Sequence, residues 1–246
     1  MEQTIAPDDF VIVCDGPLTP ELDEVLLQSC ERYGCLNILR KEINEGLGSA
    51  LHDGLLITKN EIIMRMDSDD VCLKHRAEIQ LPFMKEYELV GSSISEFENS
   101  EDNIIGYRVV PTKQKDIEQF AKRRSPFNHP SVMFRKSTIL KAGNYQTLLY
   151  VEDYYLWVRV LLLGSKVANI SEPLVNMRSG LIMRSRRSGK TYRNSIKKLR
   201  KFMLDNKMIS RFRYFGLSVE QTAFLLVPAR IKEHLYSIFL RKKKAK

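Results

Sequence analysis

Phe10-Val-Ile-Val-Cys-Asp-Gly-Pro17 is a short apolar run that stops at an aspartate and a Gly-Pro pair. Five consecutive apolar residues, with no polar alternation, form the pattern of a strand covered on both faces, and Gly16-Pro17 supplies the turn that ends it. Thr19 and Pro20 then suit the N-cap and first position of a helix reaching Tyr33, in which Leu22, Val25, Leu26 and Ser29 share one face. The unit repeats outward: residues 36–39 read as a strand, 47–58 as a helix and 61–66 as a strand. Strands alternating with helices predict right-handed βαβ crossovers and a mainly parallel sheet flanked by helices, an α/β fold. Further on, residues 75–87 and 154–163 read as helices and 104–109 and 131–134 as strands. From Thr191 the pattern is helical and basic, with Pro228 as a break before a last amphipathic helix.

Ligands of such sheets sit beyond the carboxyl ends of the strands, which here carry Asp15 and Asp67. Asp67-Ser-Asp-Asp70 sets three carboxylates within four residues directly after an apolar strand. Alternate carboxylates in that position suit a hard divalent cation, Mg²⁺ or Mn²⁺, which in turn neutralises phosphate oxygens. An isolated D-x-D also fits a solvated turn or a helix N-cap, so its neighbours decide its meaning.

The chain has 246 residues, 43% hydrophobic and 28% charged, enough for one substantial α/β core with an appendage. Its longest apolar runs fall far short of the roughly 20 residues of a membrane span, and the first ten residues show no signal-peptide pattern, so a cytoplasmic location is expected. Cys14, Cys30, Cys35 and Cys72 lack metal-ligand spacing and read as reduced thiols. The net charge of +9 is divided unevenly: residues 1–177 hold 19 Lys and Arg against 27 Asp and Glu, and residues 178–246 hold 20 against 3. An acidic body therefore carries a basic tail suited to phosphates of a substrate, a membrane surface or a nucleic acid. The tail has no helix-turn-helix or RNA-binding motif and no interleaved aromatics, so no nucleic acid partner is expected.

Taken together, six segments resemble the family 2 glycosyltransferases with the GT-A fold, a Rossmann-like sheet. They are Val11-Ile-Val-Cys-Asp-Gly16, Asn44-Glu-Gly-Leu-Gly48 with Ala50, Arg65-Met-Asp-Ser-Asp-Asp70, Arg76 with Gln80, Asn128-His-Pro-Ser-Val-Met-Phe-Arg135, and Glu152-Asp-Tyr-Tyr-Leu-Trp157. The Arg76 and Gln80 spacing is similar to that of capsule and O-antigen transferases. The resemblance implies a GT-A domain over residues 1–180, lacking the family's first strand and helix, and a basic loop with helical extension over 181–246. It also implies an inverting transfer of a hexose or N-acetylhexosamine from a UDP-sugar to a lipid-linked saccharide, in bacterial surface-polysaccharide synthesis.

By the same resemblance, Asp15 holds the uracil, and Asn44, Gly46, Gly48 and Arg65 line the nucleotide. Asp69 with Asp67 holds Mg²⁺ or Mn²⁺, and Asp153 is the base that takes the acceptor proton, with Glu152 orienting it. Arg186 and Arg187, beside Arg178 and Arg184 in a glycine-flanked loop, are expected to meet the phosphates. His129 and Trp157 read as structural residues before sugar contacts. Residues 228–246 place Ile231, Leu235, Ile238 and Phe239 on one side among Lys and Arg, which suits peripheral contact with the inner face of the plasma membrane or packing on the protein itself. Two other readings stay open, a binding module without turnover and a sugar nucleotidyltransferase, although no glycine-rich phosphate loop is present for the latter.

Overall fold

The computed structural model describes residues 2–179 and 189–226. Strand β1 (Phe10–Asp15) runs parallel to β2 (Leu36–Lys41) in full register, with helix α1 (Pro20–Arg32) as the crossover. Thr19 caps α1 by accepting from Leu22 N at 3.4 Å, and Pro20 occupies the first turn. The predicted inner face of α1 is only half covered: Leu26 and Ser29 are partly buried, Leu22 and Val25 stand exposed, and no residue of the helix is fully buried. Helix α2 (Leu47–Ile57) follows and sends Leu55 into the main core.

The second sheet has six strands in the order β3-β7-β5-β8-β4, with β6 also on β5. These are β3 (Ile62–Met64), β4 (Val71–Cys72), β5 (Leu89–Glu98), β6 (Ser100–Arg108), β7 (Met133–Arg135) and β8 (Val167–Arg178). Only β5 and β8 pair in parallel; every other pairing in this sheet is antiparallel. The expected parallel pairing thus holds for β1 with β2 and for β5 with β8, and the larger sheet is mixed. The cause is connectivity: strand–helix alternation stops after β3, and β5 turns into β6 through Asn99 alone, at φ 63°, a tight reversal that forces the next strand to run antiparallel.

Two short helices and two longer ones cover the sheet: α3 (Arg76–Gln80), α4 (Gln114–Ala121), α5 (Lys136–Lys141) and α6 (Glu152–Leu162). The expected helix over 75–87 is split, because Pro82 interrupts the hydrogen-bond ladder and residues Leu81–Lys85 tighten into a 3₁₀ turn. The main core joins Leu89, Phe134, Val167, Ile117, Ile139, Leu156 and Trp157, with Phe127 edge-on to Trp157 at 5.7 Å. Trp157 is fully buried, so its role is packing. Helices α7 (Lys190–Asp205) and α8 (Arg211–Leu226) pack on the outside of α6, where Ile196, Leu199, Met203 and Leu217 join Val151, Tyr154 and Val158. All four cysteines are free thiols.

The central strand β5 was absent from the sequence pattern. Its Gly91-Ser-Ser93 and Ser95 interrupt the apolar run, yet nearly the whole strand is buried. The polar groups of Ser92 are satisfied internally: Ser92 N donates to Ser131 Oγ at 2.9 Å, and Asn128 Nδ2 donates to Ser92 O at 2.8 Å. At Gly91 a side chain would collide with the carboxamide of Asn169 and the ring of Phe127.

Candidate active site

The D-x-D segment leaves β3 and is braced from below. Arg76 is fully buried and donates through Nη2 to the carbonyls of Arg65 (2.9 Å) and Val132 (3.0 Å), and through Nε to Gln80 Oε1 (2.8 Å). Gln80 in turn donates to Ser131 O at 2.9 Å. Arg76 and Gln80 are therefore structural: they lock the backbone of Arg65 to the turn His129–Ser131, and burial lowers the guanidinium pKa to about 10.

Above this brace, Arg65 turns its buried guanidinium onto Asp67 as a fork, Nη1 to Oδ2 at 2.6 Å and Nη2 to Oδ1. Both oxygens of Asp67 are thus engaged by a charge-assisted pair that fixes the carboxylate's plane. Asp69 is exposed and its carboxylate has no partner among the described residues. Asp70 points inward: Oδ1 accepts from Arg178 N at 2.8 Å, and burial raises its pKa to about 7 against the opposing effect of that hydrogen bond. Arg178, expected in the basic loop, instead pins the motif, with Nε on Asp69 O at 3.2 Å and its guanidinium over the Phe97 ring at 4.7 Å.

Asp15, at the end of β1, holds the start of α2. Its Oδ1 accepts from Glu45 N at 2.9 Å and its Oδ2 from Gly46 N at 2.8 Å, so Asp15 and the segment after Asn44 form one unit. Gly16 has φ 104°, and a Cβ there would press on Asn44 N at 3.0 Å; only glycine lets the two loops close. One turn further, Gly48 packs against Glu152: a Cβ at 48 would lie 3.1 Å from Glu152 Cγ. Glu152 and Asp153 open α6; Glu152 is buried, accepts from Tyr150 N at 3.1 Å and has its pKa raised by that burial, while Asp153 is only partly covered.

Between these pieces lies a layer in which His129 meets Trp157 and Tyr145, the last a residue that the sequence did not single out. Tyr145 OH stands 3.0 Å from His129 Nε2, with ring centroids 5.7 Å apart, and His129 also meets Trp157 edge-on at 5.9 Å. Burial, helped by the charge of Arg65, pushes the imidazole pKa well below its usual value. Burial likewise raises the Tyr145 phenol, which feels Arg65, Asp153 and Asp67. A neutral imidazole therefore shares a hydrogen bond with the phenol between the D-x-D segment and the start of α6. Gly143, Asn144 and Tyr145 carried only a turn signal in sequence. Arg186 and Arg187 lie outside the described residues.

Asp15 at one strand end, a D-x-D segment at another and two carboxylates at a helix start lie on an α/β fold of the GT-A type. The chain belongs to glycosyl transferase family 2, whose model matches residues 1–143. It is 36% identical over 239 residues to the amylovoran biosynthesis glycosyltransferase AmsE of Erwinia amylovora, covering 96% of this chain and 88% of that protein. It is 33% identical to the Escherichia coli UDP-Gal:alpha-D-GlcNAc-diphosphoundecaprenol beta-1,3-galactosyltransferase, over 98% of this chain and 88% of that one. Among solved structures, S. aureus TarS 1–349 in complex with UDP-GlcNAc aligns over 98% of this chain and 70% of its own, with a TM-score of 0.65 at 15% identity. The chain spans 38% of a longer TarS structure. The protein is thus a glycosyltransferase. No helix among the described residues is long and apolar enough to cross a membrane.

Proposed function

We propose that this protein transfers a hexose or N-acetylhexosamine, with inversion, from a UDP-sugar to a lipid-linked saccharide in surface-polysaccharide synthesis. The observation that carries the reading is the contact of Gly48 with Glu152, which joins the segment clamped by Asp15 to the helix start bearing Asp153. The relatives' substrates support the donor and acceptor classes: one is named for a UDP-Gal donor and a diphosphoundecaprenol-linked sugar, and one structural neighbour was solved with UDP-GlcNAc.

In this mechanism Asp15 accepts from the uracil, with the loop of Asn44, Gly46 and Gly48 against the nucleoside. The acceptor hydroxyl gives its proton to Asp153 as its oxygen bonds to the anomeric carbon, and the bond from that carbon to the diphosphate breaks on the opposite face. Asp69 offers the free carboxylate for Mg²⁺ or Mn²⁺, with Asp67 held in plane beside it by Arg65. One or two carboxylates completed by phosphate oxygens and water suit these ions. The ion, when bound, neutralises charge on the departing diphosphate. Arg186 and Arg187 would add cations to the same group.

Asp153→Asn tests the reading. Turnover from UDP-sugar should fall about 10²- to 10⁴-fold, while calorimetric UDP affinity in Mn²⁺ stays within about twofold. Equal turnover by the variant refutes the assigned base. A second reading, binding without turnover, is favoured by one observation: β1 and β3 each have an edge with no strand partner among the described residues. Metal-dependent UDP binding with no transfer by the unaltered chain would select it.

A further inference from the structure

The outer face of α8 carries an apolar stripe that the transfer chemistry does not use. Phe212, Phe215 and Val219 follow the i, i+3, i+7 spacing of one helix face and are 92%, 70% and 50% exposed. The helix cannot turn this face inward. Leu217, on the opposite side, is buried with Leu199 and Met203, and Arg200 Nη1 donates to Leu217 O at 2.8 Å and Gln221 Oε1 at 3.0 Å. Glu220 is tied to Arg123 at 2.5 Å. Two phenylalanines held in water on a rigid face mark an interaction surface, since burial of each apolar ring is favourable.

The surrounding charge identifies what covers them. Arg211 and Arg213, both exposed, flank the stripe about 100° to either side of Phe212. Arg193, Lys197 and Arg200 line the groove between α7 and α8 with Tyr214, and Lys198, Lys201 and Lys207 are exposed nearby. The two carboxylates in the described part of this hairpin, Asp205 and Glu220, are each paired with a cation. A second copy of this chain would set one cationic face against another, whereas a phosphate-rich lipid surface is complementary to both the charge and the aromatic stripe.

We propose that the outer face of α8 docks on an anionic bilayer, with Phe212, Phe215 and Val219 at the boundary of headgroups and acyl chains, and Arg211, Arg213 and the α7 lysines on lipid phosphates. The basic segment 228–246 lies outside the described residues; the proposal stands on the exposure and charge of α7 and α8, independently of the transfer reading. The test is vesicle flotation of the full chain with neutral phosphatidylcholine and with vesicles containing roughly one third phosphatidylglycerol. The protein should float with the anionic vesicles only, and Phe212→Ser/Phe215→Ser, which keeps every charge, should lose about tenfold or more of that binding with its melting temperature and UDP affinity unchanged. Phe212→Ser alone, at the most exposed position, repeats the measurement if the double variant melts early. Equal flotation of variant and parent overturns the proposal, as does equal binding to neutral vesicles. Absence of vesicle binding, with self-association that the double variant abolishes, overturns it in favour of a second copy.

Discussion

The two sheets reach the active site by opposite routes. Beneath the D-x-D segment, the six-stranded sheet is held by buried side chains that bond backbone across long sequence separations: Arg76 to Arg65 and Val132, Gln80 to Ser131, Asn128 to Ser92. The β1–β2 half has few such ties. Helix α1 buries nothing completely, Phe10, Leu22, Val25 and Ile43 are exposed, and Asp15 fastens the loop before α2 through two hydrogen bonds. The D-x-D half is thus tied across the sheet by buried side chains, while the β1–β2 half is held nearer its surface, by Asp15 on Glu45 and Gly46 and by Lys41 on Ser49 and Asp53. The difference teaches that the first should fail as a unit and the second locally.

Arg76→Ala should therefore give the largest effect. It strands the carbonyls of Arg65 and Val132 and leaves Gln80 Oε1 without its donor, at a cost of about 3–4 kcal/mol or a melting temperature lower by roughly 10 °C. Thermal melting measures it, and a shift under about 2 °C would refute the brace. Asp15→Ala should cost less, about 1–3 kcal/mol, and the loss should be confined to its own half. Hydrogen exchange at the amides of Glu45 and Gly46 should speed up while that of β5 stays protected, and UDP affinity should fall about tenfold. Global acceleration in both sheets would erase the contrast.

The contrast also explains what could be seen in advance. The β1–α1–β2–α2–β3 run was legible from its continuous apolar runs and the Thr-Pro start of α1, although the expected cover on both faces of β1 is only partial, with Cys14 alone buried. Strand β5 was not, since burial of Ser92 and Ser95 depends on partners as distant in sequence as Ser131 and Asn176. The inward face of α1 was read from a genuine periodicity, but periodicity shows which residues align and not what covers them. At the site, Asp15, Asp67, Asp69 and Asp153 were picked out by the resemblance of their segments to the family, since carboxylates after strands and at helix starts also serve as turns and caps. Tyr145 was not, since a lone tyrosine after a turn has many structural roles.

The smallest expected effect sits at the seam between the halves, where His129 bonds Tyr145 from the side of Arg65, and the Tyr145 carbonyl lies 3.1 Å from His52 Nδ1 of α2. His129 is held neutral in the folded protein, with its pKa well below 6.5, whereas in the unfolded chain it titrates near 6.5. Below that pH the unfolded chain binds a proton that the folded one refuses, so stability is fully present above about 6.5 and is lost as the pH falls, by up to about 1.4 kcal/mol per unit from this group. His129→Gln keeps an acceptor near Tyr145 OH and cannot titrate. Urea unfolding of parent and variant at pH 7.5 and 5.5 should show the two differing in their loss of stability by about 1 kcal/mol, the parent losing more. Parallel losses would mean that His129 takes up its proton in the folded state, and that the seam opens more readily than the sheet behind it.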